Sequence, residues 1–280
     1  MPETKNESIQ EFPILVKSVH VQPGSPPTPM NVIVVGAGGT GGRLIPPLMQ
    51  ILKQGDSVAI VDGDIVEQRN LLRQNFRIRD IGENKAEVMA RRYRRDGINV
   101  AAFATMYKSD LYREMINHGY YKTIFLGCVD NPEARNEISN SAPEESSIWI
   151  DGGNEMRGGQ VIVSANGWPF EVSEWIRDRN EYYKRSSLWH IRGMKAMPQL
   201  LTISEKPQEG CGNRIDLQTV AVNQLSATCM LNALTCILHG VTFSNCGVFF
   251  STLNTMSPIK LAKVDWDYNV VNPELTYASK

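Results

Sequence analysis

The tightest constraint on this chain is a glycine-rich turn placed directly after an apolar strand. Residues 31–35 form a near-continuous β-branched run, and Gly36-Ala37-Gly38-Gly39-Thr40-Gly41-Gly42 follows at once. A run of that kind reads as a parallel strand covered on both faces. Gly36, Gly38 and Gly41 make a G-x-G-x-x-G pattern, with Gly39 inside it. Without a Cβ at these positions, backbone can approach a phosphate at the positive end of the next helix. That helix is expected at 44–52, with Pro46 and Pro47 in its first turn, where a missing N–H costs nothing.

The rest of the chain repeats the strand–helix rhythm. Strands are expected at 57–61, 100–105, 123–128, 147–151 and 160–165, and helical stretches at 85–95 and 108–117. This alternation implies a doubly wound sheet with right-handed crossovers. A long apolar helix at 217–238 and terminal strands within 248–261 complete the pattern. The fold class is α/β, a Rossmann-like doubly wound, mainly parallel sheet with a C-terminal helix and antiparallel strands. Residues 31–280 read as one domain. Residues 1–30, with six prolines between Pro2 and Pro29, read as an extended N-terminal segment containing a short strand at 14–21. Residues 166–212 break the rhythm with Trp168, Phe170, Trp175, Tyr182, Tyr183 and Trp189 among charges, an excursion long enough to imply a function. Arg91, Arg92, Arg94 and Arg95 read as a solvated helix face, and Cys229 and Cys236 as core residues on one face of the long helix.

Bulk properties exclude several classes. A net charge of -1 over 280 residues argues against a dedicated nucleic-acid or anionic-membrane surface. No long apolar stretch runs without polar interruption, so no membrane span is expected. The first residues lack a basic segment leading into an apolar core, which makes the cytoplasm the expected compartment. The five cysteines (128, 211, 229, 236 and 246) contain no Cys-x-x-Cys pair and suggest neither a disulfide framework nor a zinc site.

A polar series follows the turn. Asp62 closes the second strand, where a carboxylate can accept both ribose hydroxyls. To this point NAD, FAD, S-adenosylmethionine and ATP all fit. Asn70, Arg73 and Lys85 then add an amide and two cations at the phosphate end, more charge than a dinucleotide site needs. A triphosphate does need them, since its transfer chemistry depends on fixed cations. Asp130, just past a strand end, is placed to ligate Mg²⁺ through oxygen.

Asp62-Gly63-Asp64-Ile65-Val66-Glu67, Asn70-Leu71-Leu72-Arg73-Gln74, Lys85 and Cys128-Val129-Asp130-Asn131 with Arg135 together resemble the adenylation domain of the ThiF/MoeB and ubiquitin-activating enzyme superfamily. The likeness runs from about residue 30 to 165, with a weaker echo at 209–240. It implies that ATP-Mg²⁺ adenylates the C-terminal glycine of a small ubiquitin-like or sulfur-carrier protein of β-grasp type, releasing pyrophosphate. By the same resemblance Asp62 holds the ribose, with Asp64 beside it. Asn70, Arg73 and Lys85 hold the phosphates, Gln74 lies next to them, Asp130 takes the metal, and the chain is a homodimer.

Cys211, in Glu209-Gly210-Cys211-Gly212-Asn213 ahead of the long helix, resembles the thioester or persulfide nucleophile of some relatives. A thiol there could be activated by a helix N-terminus or nearby cations; the alternative is a bystander loop cysteine. Length and cysteine placement resemble compact bacterial forms, including the ThiF-like component of PRTRC systems. There are departures. Many members carry an N-terminal arginine that completes a partner's ATP site, yet the first arginine here is Arg43, so either Lys5 or Lys17 substitutes or the site is completed otherwise. Arg69 stands where serine is commoner, and the paired zinc cysteines are missing. Two other readings stay open. A NAD-dependent Rossmann oxidoreductase leaves Arg73, Lys85 and Asp130 without a task. A non-enzymatic, nucleotide-gated binding module would use the aromatic segment to hold a partner.

Overall fold

The structure is a computed structural model that describes residues 29–116, 122–141, 147–154, 158–169, 188–192, 220–238, 247–251 and 260–264. Five strands run parallel in the order β3-β2-β1-β4-β5. They are β1 (Met30–Val35), β2 (Ser57–Val61), β3 (Asn99–Phe103), β4 (Lys122–Gly127) and β5 (Ser147–Asn154). The sheet then turns antiparallel. β6 (Gly158–Pro169) pairs with β5, and both β7 (Leu188–Arg192) and β8 (Gly247–Ser251) pair with β6. β9 (Lys260–Val264) closes the edge, making nine strands among the described residues. The expected α/β fold with a parallel core and antiparallel end is what forms.

Register decides where the site lies. Val35 stands opposite Val61 on one side and Gly127 on the other, so the carboxyl ends of β1, β2 and β4 finish level. Chain direction across the sheet reverses between β1 and β4. A crevice opens at such a reversal, because the crossovers on its two sides leave in opposite directions. The glycine turn leaves β1 there and the segment bearing Asp130 leaves β4 beside it.

The central strands carry unbroken apolar runs because both faces are covered: every residue of β2 is buried. α5 (Val220–Leu238) packs on α1 (Gly41–Ile51), β5 and β6. α2 (Lys85–Arg92) packs on β2 and β3, while α3 (Tyr112–Met115) and α4 (Pro132–Ser141) follow β3 and β4. Val220–Leu238 is long and apolar enough to cross a membrane by length and composition. Here Val222, Ala227, Met230, Leu234 and Ile237 on one side of it are buried in the core. Cys229 lies half-buried against that core and Cys236 is also half-buried, so neither is a fully buried core residue.

Several expectations are corrected. α1 begins at Gly41, not at 44, which moves Pro46 and Pro47 out of the first turn and into the helix interior. Pro46 has no N–H for the Gly42 carbonyl one turn earlier. Asn75 supplies the missing donor: its Nδ2 donates to Gly42 O at 3.0 Å, and contacts the Tyr93 hydroxyl at 2.9 Å. Nor is the arginine run simply solvated. Arg91 is exposed and pairs with Glu83, but the Arg92 side chain is only 13% exposed, donating to the Asn75 carbonyl and pairing with Asp80. Arg95 lies beyond the end of α2 and caps α1 by donating to Met49 O at 2.5 Å. Within the aromatic excursion, β6 continues to Pro169 and pairs with β7, so the sheet extends into a segment expected to leave it. The strand expected at 14–21, Cys211 and most of 166–212 lie outside the described residues.

Asn75→Ala should leave the Gly42 carbonyl without its donor and lower unfolding free energy by about 1–3 kcal/mol. Urea unfolding followed by circular dichroism measures this; an unmoved midpoint would mean that the carbonyl is satisfied another way.

Candidate active site

The glycines of the turn divide by what they have to clear. Gly36 has a φ of +93°, and its N–H donates to Val61 O at 2.8 Å. A Cβ on Gly36 would stand 2.6 Å from the Cys128 carbonyl oxygen, and one on Gly41 would collide with the Gly36 carbonyl. A Cβ on Gly39 would meet the Asn223 amide of α5 at 2.5 Å. Packing within the chain explains all three. Gly38 is different. Its φ is ordinary, and a Cβ there would touch only the Gln74 amide, at 3.6 Å or more. No described residue needs a glycine there, whereas a phosphate lying against a helix N-terminus would.

Asp62, the first residue past β2, ties the turn to the next loop. Its Oδ2 accepts the Ala37 N–H at 2.7 Å and its Oδ1 accepts the Asp64 N–H at 2.9 Å. Burial pushes its carboxyl up from the ordinary value, against the pull of those two N–H groups and of Lys85. Each oxygen keeps a second lone pair, so it can still accept from a hydroxyl. Asn84 joins the same cluster: its Nδ2 donates to the carbonyls of Asp62 and Asp64, and its Oδ1 caps α2 by accepting the Glu87 N–H.

That cap makes Lys85 the first residue of α2. Its side chain is 8% exposed, and its Nζ lies 2.7 Å from an Asp64 carboxylate that is itself 54% exposed. A buried cation in the first turn opposes the helix dipole, where an acidic side chain would stabilise the fold. Helix stability therefore does not account for Lys85. Asp64 holds the ammonium in place at the mouth of the cluster.

The Asn70–Gln74 string folds as a tight 3₁₀ turn, Gln68–Leu72, capped at both ends by Asn70. Asn70 Oδ1 accepts the Glu67 N–H at 2.8 Å, and Asn70 O accepts from Gln74 and Arg73 at 2.8 and 3.2 Å. Half of the Asn70 amide thus serves the turn itself. The turn delivers Gln74 beside Gly38, where its Oε1 is buried without a donor among the described residues. Arg73 follows the turn, its carbonyl 3.5 Å from Nη2 of Arg43 on α1.

On the β4 side, the Cys128 N–H donates to Val35 O at 2.8 Å, which seats the β4–α4 segment against the glycine turn. Burial pushes the Cys128 thiol far up from its ordinary value, consistent with packing. Asp130 is exposed, and Asn131 caps α4 by accepting the Ala134 N–H at 2.8 Å. No cluster of three or more metal-ligating side chains exists among the described residues. A lone carboxylate still suits Mg²⁺, which keeps waters and takes its other ligands from substrate phosphates.

Two polar pairings are not legible in the sequence, although Arg135 itself belongs to the motif string. Asn154 of β5 donates to the Thr40 hydroxyl and, at 2.9 Å, to Asn223 Oδ1, fastening α5 to the glycine turn. Arg135 of α4 pairs with Asp151 of β5 in the interior. The available signals were Asn223 interrupting an apolar helix and Asp151 ending an apolar strand, and neither named its partner. Cys211, Lys5 and Lys17 lie outside the described residues.

With this geometry in hand, comparison with known proteins settles the class. The sequence matches the ThiF family over residues 28–254, so the chain belongs to the ThiF family. It is 29% identical over 192 residues to the NEDD8-activating enzyme E1 catalytic subunit of Arabidopsis thaliana, covering 60% of this chain and 41% of that protein. Solved structures of E. coli MccB share the fold. One with succinimide has a TM-score of 0.55 at 16% identity, and one with ATP a TM-score of 0.53 at 16% identity. Each match spans 84% of this chain and 63% of MccB. The chain therefore spans less than half the length of its plant relative and under two thirds of MccB.

Alkylation of the folded chain by iodoacetamide near neutral pH should leave Cys128 unmodified, because burial disfavours its thiolate. Peptide mass spectrometry reads this directly, and rapid labelling of Cys128 would contradict the packing role.

Proposed function

We propose that this protein is an ATP-dependent activating enzyme that adenylates the C-terminal glycine of a small ubiquitin-like or sulfur-carrier protein. The observation that carries the reading is that Gly38, facing the N-terminus of α1, is a glycine no described residue requires, with a buried Lys85 that the helix alone does not explain. Family membership and the E1 relative support the same class. A NAD-dependent oxidoreductase leaves Lys85, Arg73 and Asp130 without work to do.

In this reading Asp62 accepts from the ribose hydroxyls, and the glycine turn takes the phosphates nearest the nucleoside. Arg73, Lys85 and the Asn70 amide face the outer phosphates, with Gln74 beside them and Asp64 steadying Lys85. Asp130 holds Mg²⁺, which neutralises charge on the departing pyrophosphate. A carboxylate oxygen of the acceptor's terminal glycine attacks the α-phosphorus as the bond to the bridging oxygen breaks, giving an acyl-AMP and pyrophosphate. The protein's contribution is position and fixed charge. In a second step, the Cys211 thiolate attacks the acyl carbonyl and AMP leaves, forming a thioester. The active form is a homodimer.

The glycines offer a clean test of the nucleotide reading. Gly38→Ala should fold with a near-wild-type melting temperature yet lose ATP binding, whereas Gly41→Ala should lose stability, because its Cβ collides with the Gly36 carbonyl. Calorimetric titration with ATP-Mg²⁺ and with NAD distinguishes the cofactors. Undiminished ATP affinity in Gly38→Ala would remove the phosphate from that position.

The reaction itself is tested by ATP–pyrophosphate exchange in the presence of candidate small proteins ending in Gly-Gly. Arg73→Ala, Lys85→Ala and Asp130→Ala should each slow exchange on the order of 10²-fold, or about 3 kcal/mol. Intact mass measurement should show an acyl-AMP, and a thioester that Cys211→Ala cannot form. Full exchange by Asp130→Ala would sink the metal assignment.

A further inference from the structure

Arg135 and Asp151 form a buried ion pair that the reaction above does not use. Arg135 Nε donates to Asp151 Oδ2 at 3.0 Å, and the two side chains are 8% and 0% exposed. Such a pair is weak support for stability, since the desolvation of both charges offsets their attraction. Here the offset is larger, because Asp151 Oδ1 has no donor among the described residues. Well-packed apolar residues would serve the core at least as well, so the pair calls for another explanation.

The other arm of the guanidinium provides it. Arg135 Nη2 donates to the Val129 carbonyl at 3.0 Å. That carbonyl belongs to the peptide bond leading into Asp130. The Val129 side chain lies 3.4 Å from the Cβ position of Gly36, so the same segment also abuts the glycine turn. The Asp130 carboxylate is exposed and engages no partner among the described residues, so the backbone that carries it alone fixes the point and the Cα–Cβ direction from which it projects.

We propose that Arg135, braced by Asp151, is the positioning residue for Asp130: it fixes the Val129 carbonyl and so aims the Asp130 carboxylate at the metal on the triphosphate. The inference rests on the reading of Asp130 as the metal ligand. A rigid fork can hold a carboxylate and a carbonyl at once, and the compact ammonium of lysine holds them poorly. The Asp151 end anchors the fork in β5, and the Val129 end sets the turn.

The test titrates Mg²⁺ into the full chain at fixed ATP and reads the melting temperature. The proteins are wild type, Asp130→Asn, Arg135→Lys, and the paired Arg135→Met with Asp151→Leu, which leaves no unpaired buried charge. ATP without metal should stabilise both Arg135 proteins as it does wild type. The Mg²⁺ needed for half of the metal-dependent shift should rise about tenfold, as for residues that orient metal ligands. An unchanged Mg²⁺ requirement in either folded Arg135 protein overturns the inference. So does a matching loss of the metal-free ATP effect, which marks a structural role only. If wild type shows no Mg²⁺-dependent stabilisation, or Asp130→Asn retains it, the metal reading of Asp130 fails and takes this inference with it. If Asp130→Asn loses the Mg²⁺ effect and the Arg135 proteins keep it, the inference alone fails.

Discussion

The arrangement depends on one close approach across the middle of the sheet. β1 and β4 end level, and the Cys128 carbonyl of one strand's exit lies where a side chain on Gly36 of the other would stand. Two chain segments that leave neighbouring strands in different directions can share that space only if one of them has no Cβ. The Cys128 N–H bonded to Val35 O keeps the contact closed. A glycine turn and an acidic segment are thereby held side by side at the switch point, where open α/β sheets bind ligands. Any larger residue at 36 would separate the two halves of the site before any chemistry was affected.

Around that contact the charges are arranged against local stability. Lys85 is buried at the positive end of α2, and Asp62 is desolvated as it gathers two backbone N–H groups. Asp151 lies in the interior with one oxygen unanswered. Each is costly alone, and each is held by a short-range partner: Asp64, the Ala37 N–H and Arg135 respectively. Clustering of locally unfavourable groups at one end of an otherwise regular sheet is the pattern expected of a ligand site. Structural ion pairs elsewhere behave differently: Arg92 with Asp80 fixes a loop, and the Asp80 carboxyl lies below its ordinary value. Burial pushes that carboxyl up, but the Arg77 N–H and the Arg92 guanidinium prevail. Their contribution to stability is full above the ordinary carboxylate value and fades as pH falls through the lowered one.

Much of this was legible in the sequence. Strand positions followed from apolar runs that doubly covered strands require, and the glycine spacing placed the turn correctly between β1 and α1. Gly36 to Gly41, Asp62, Asp64, Gln74 and Lys85 do come together. What was not legible depends on contacts distant in sequence. Pro46 and Pro47 pointed to a later helix start because only Asn75, far along the chain, supplies the donor that lets the helix contain them. The arginine run read as solvent-facing because Asp80 and the carbonyls of Asn75 and Met49, which Arg92 and Arg95 seek, lie in other elements. Asn154 and Asn223 are single polar residues in apolar runs, and only the fold pairs them. Family membership agrees with the motif string.

The hydrogen bond from Asn75 to Gly42 also bears on how the chain is made. The backbone bond that Pro46 cannot make is replaced by a side chain that lies 33 residues beyond Gly42, and Tyr93 and Arg92 hold Asn75 in turn. During synthesis the glycine turn therefore leaves the ribosome ahead of the side chain that completes its helix. In a chain that ends before residue 75, the Gly42 carbonyl would lack this donor and be left to water. The Asn75 side chain thereby ties the β1–α1 pair to the end of α2, so the two halves of the β1–α1–β2–α2 stretch share one hydrogen-bonded seam.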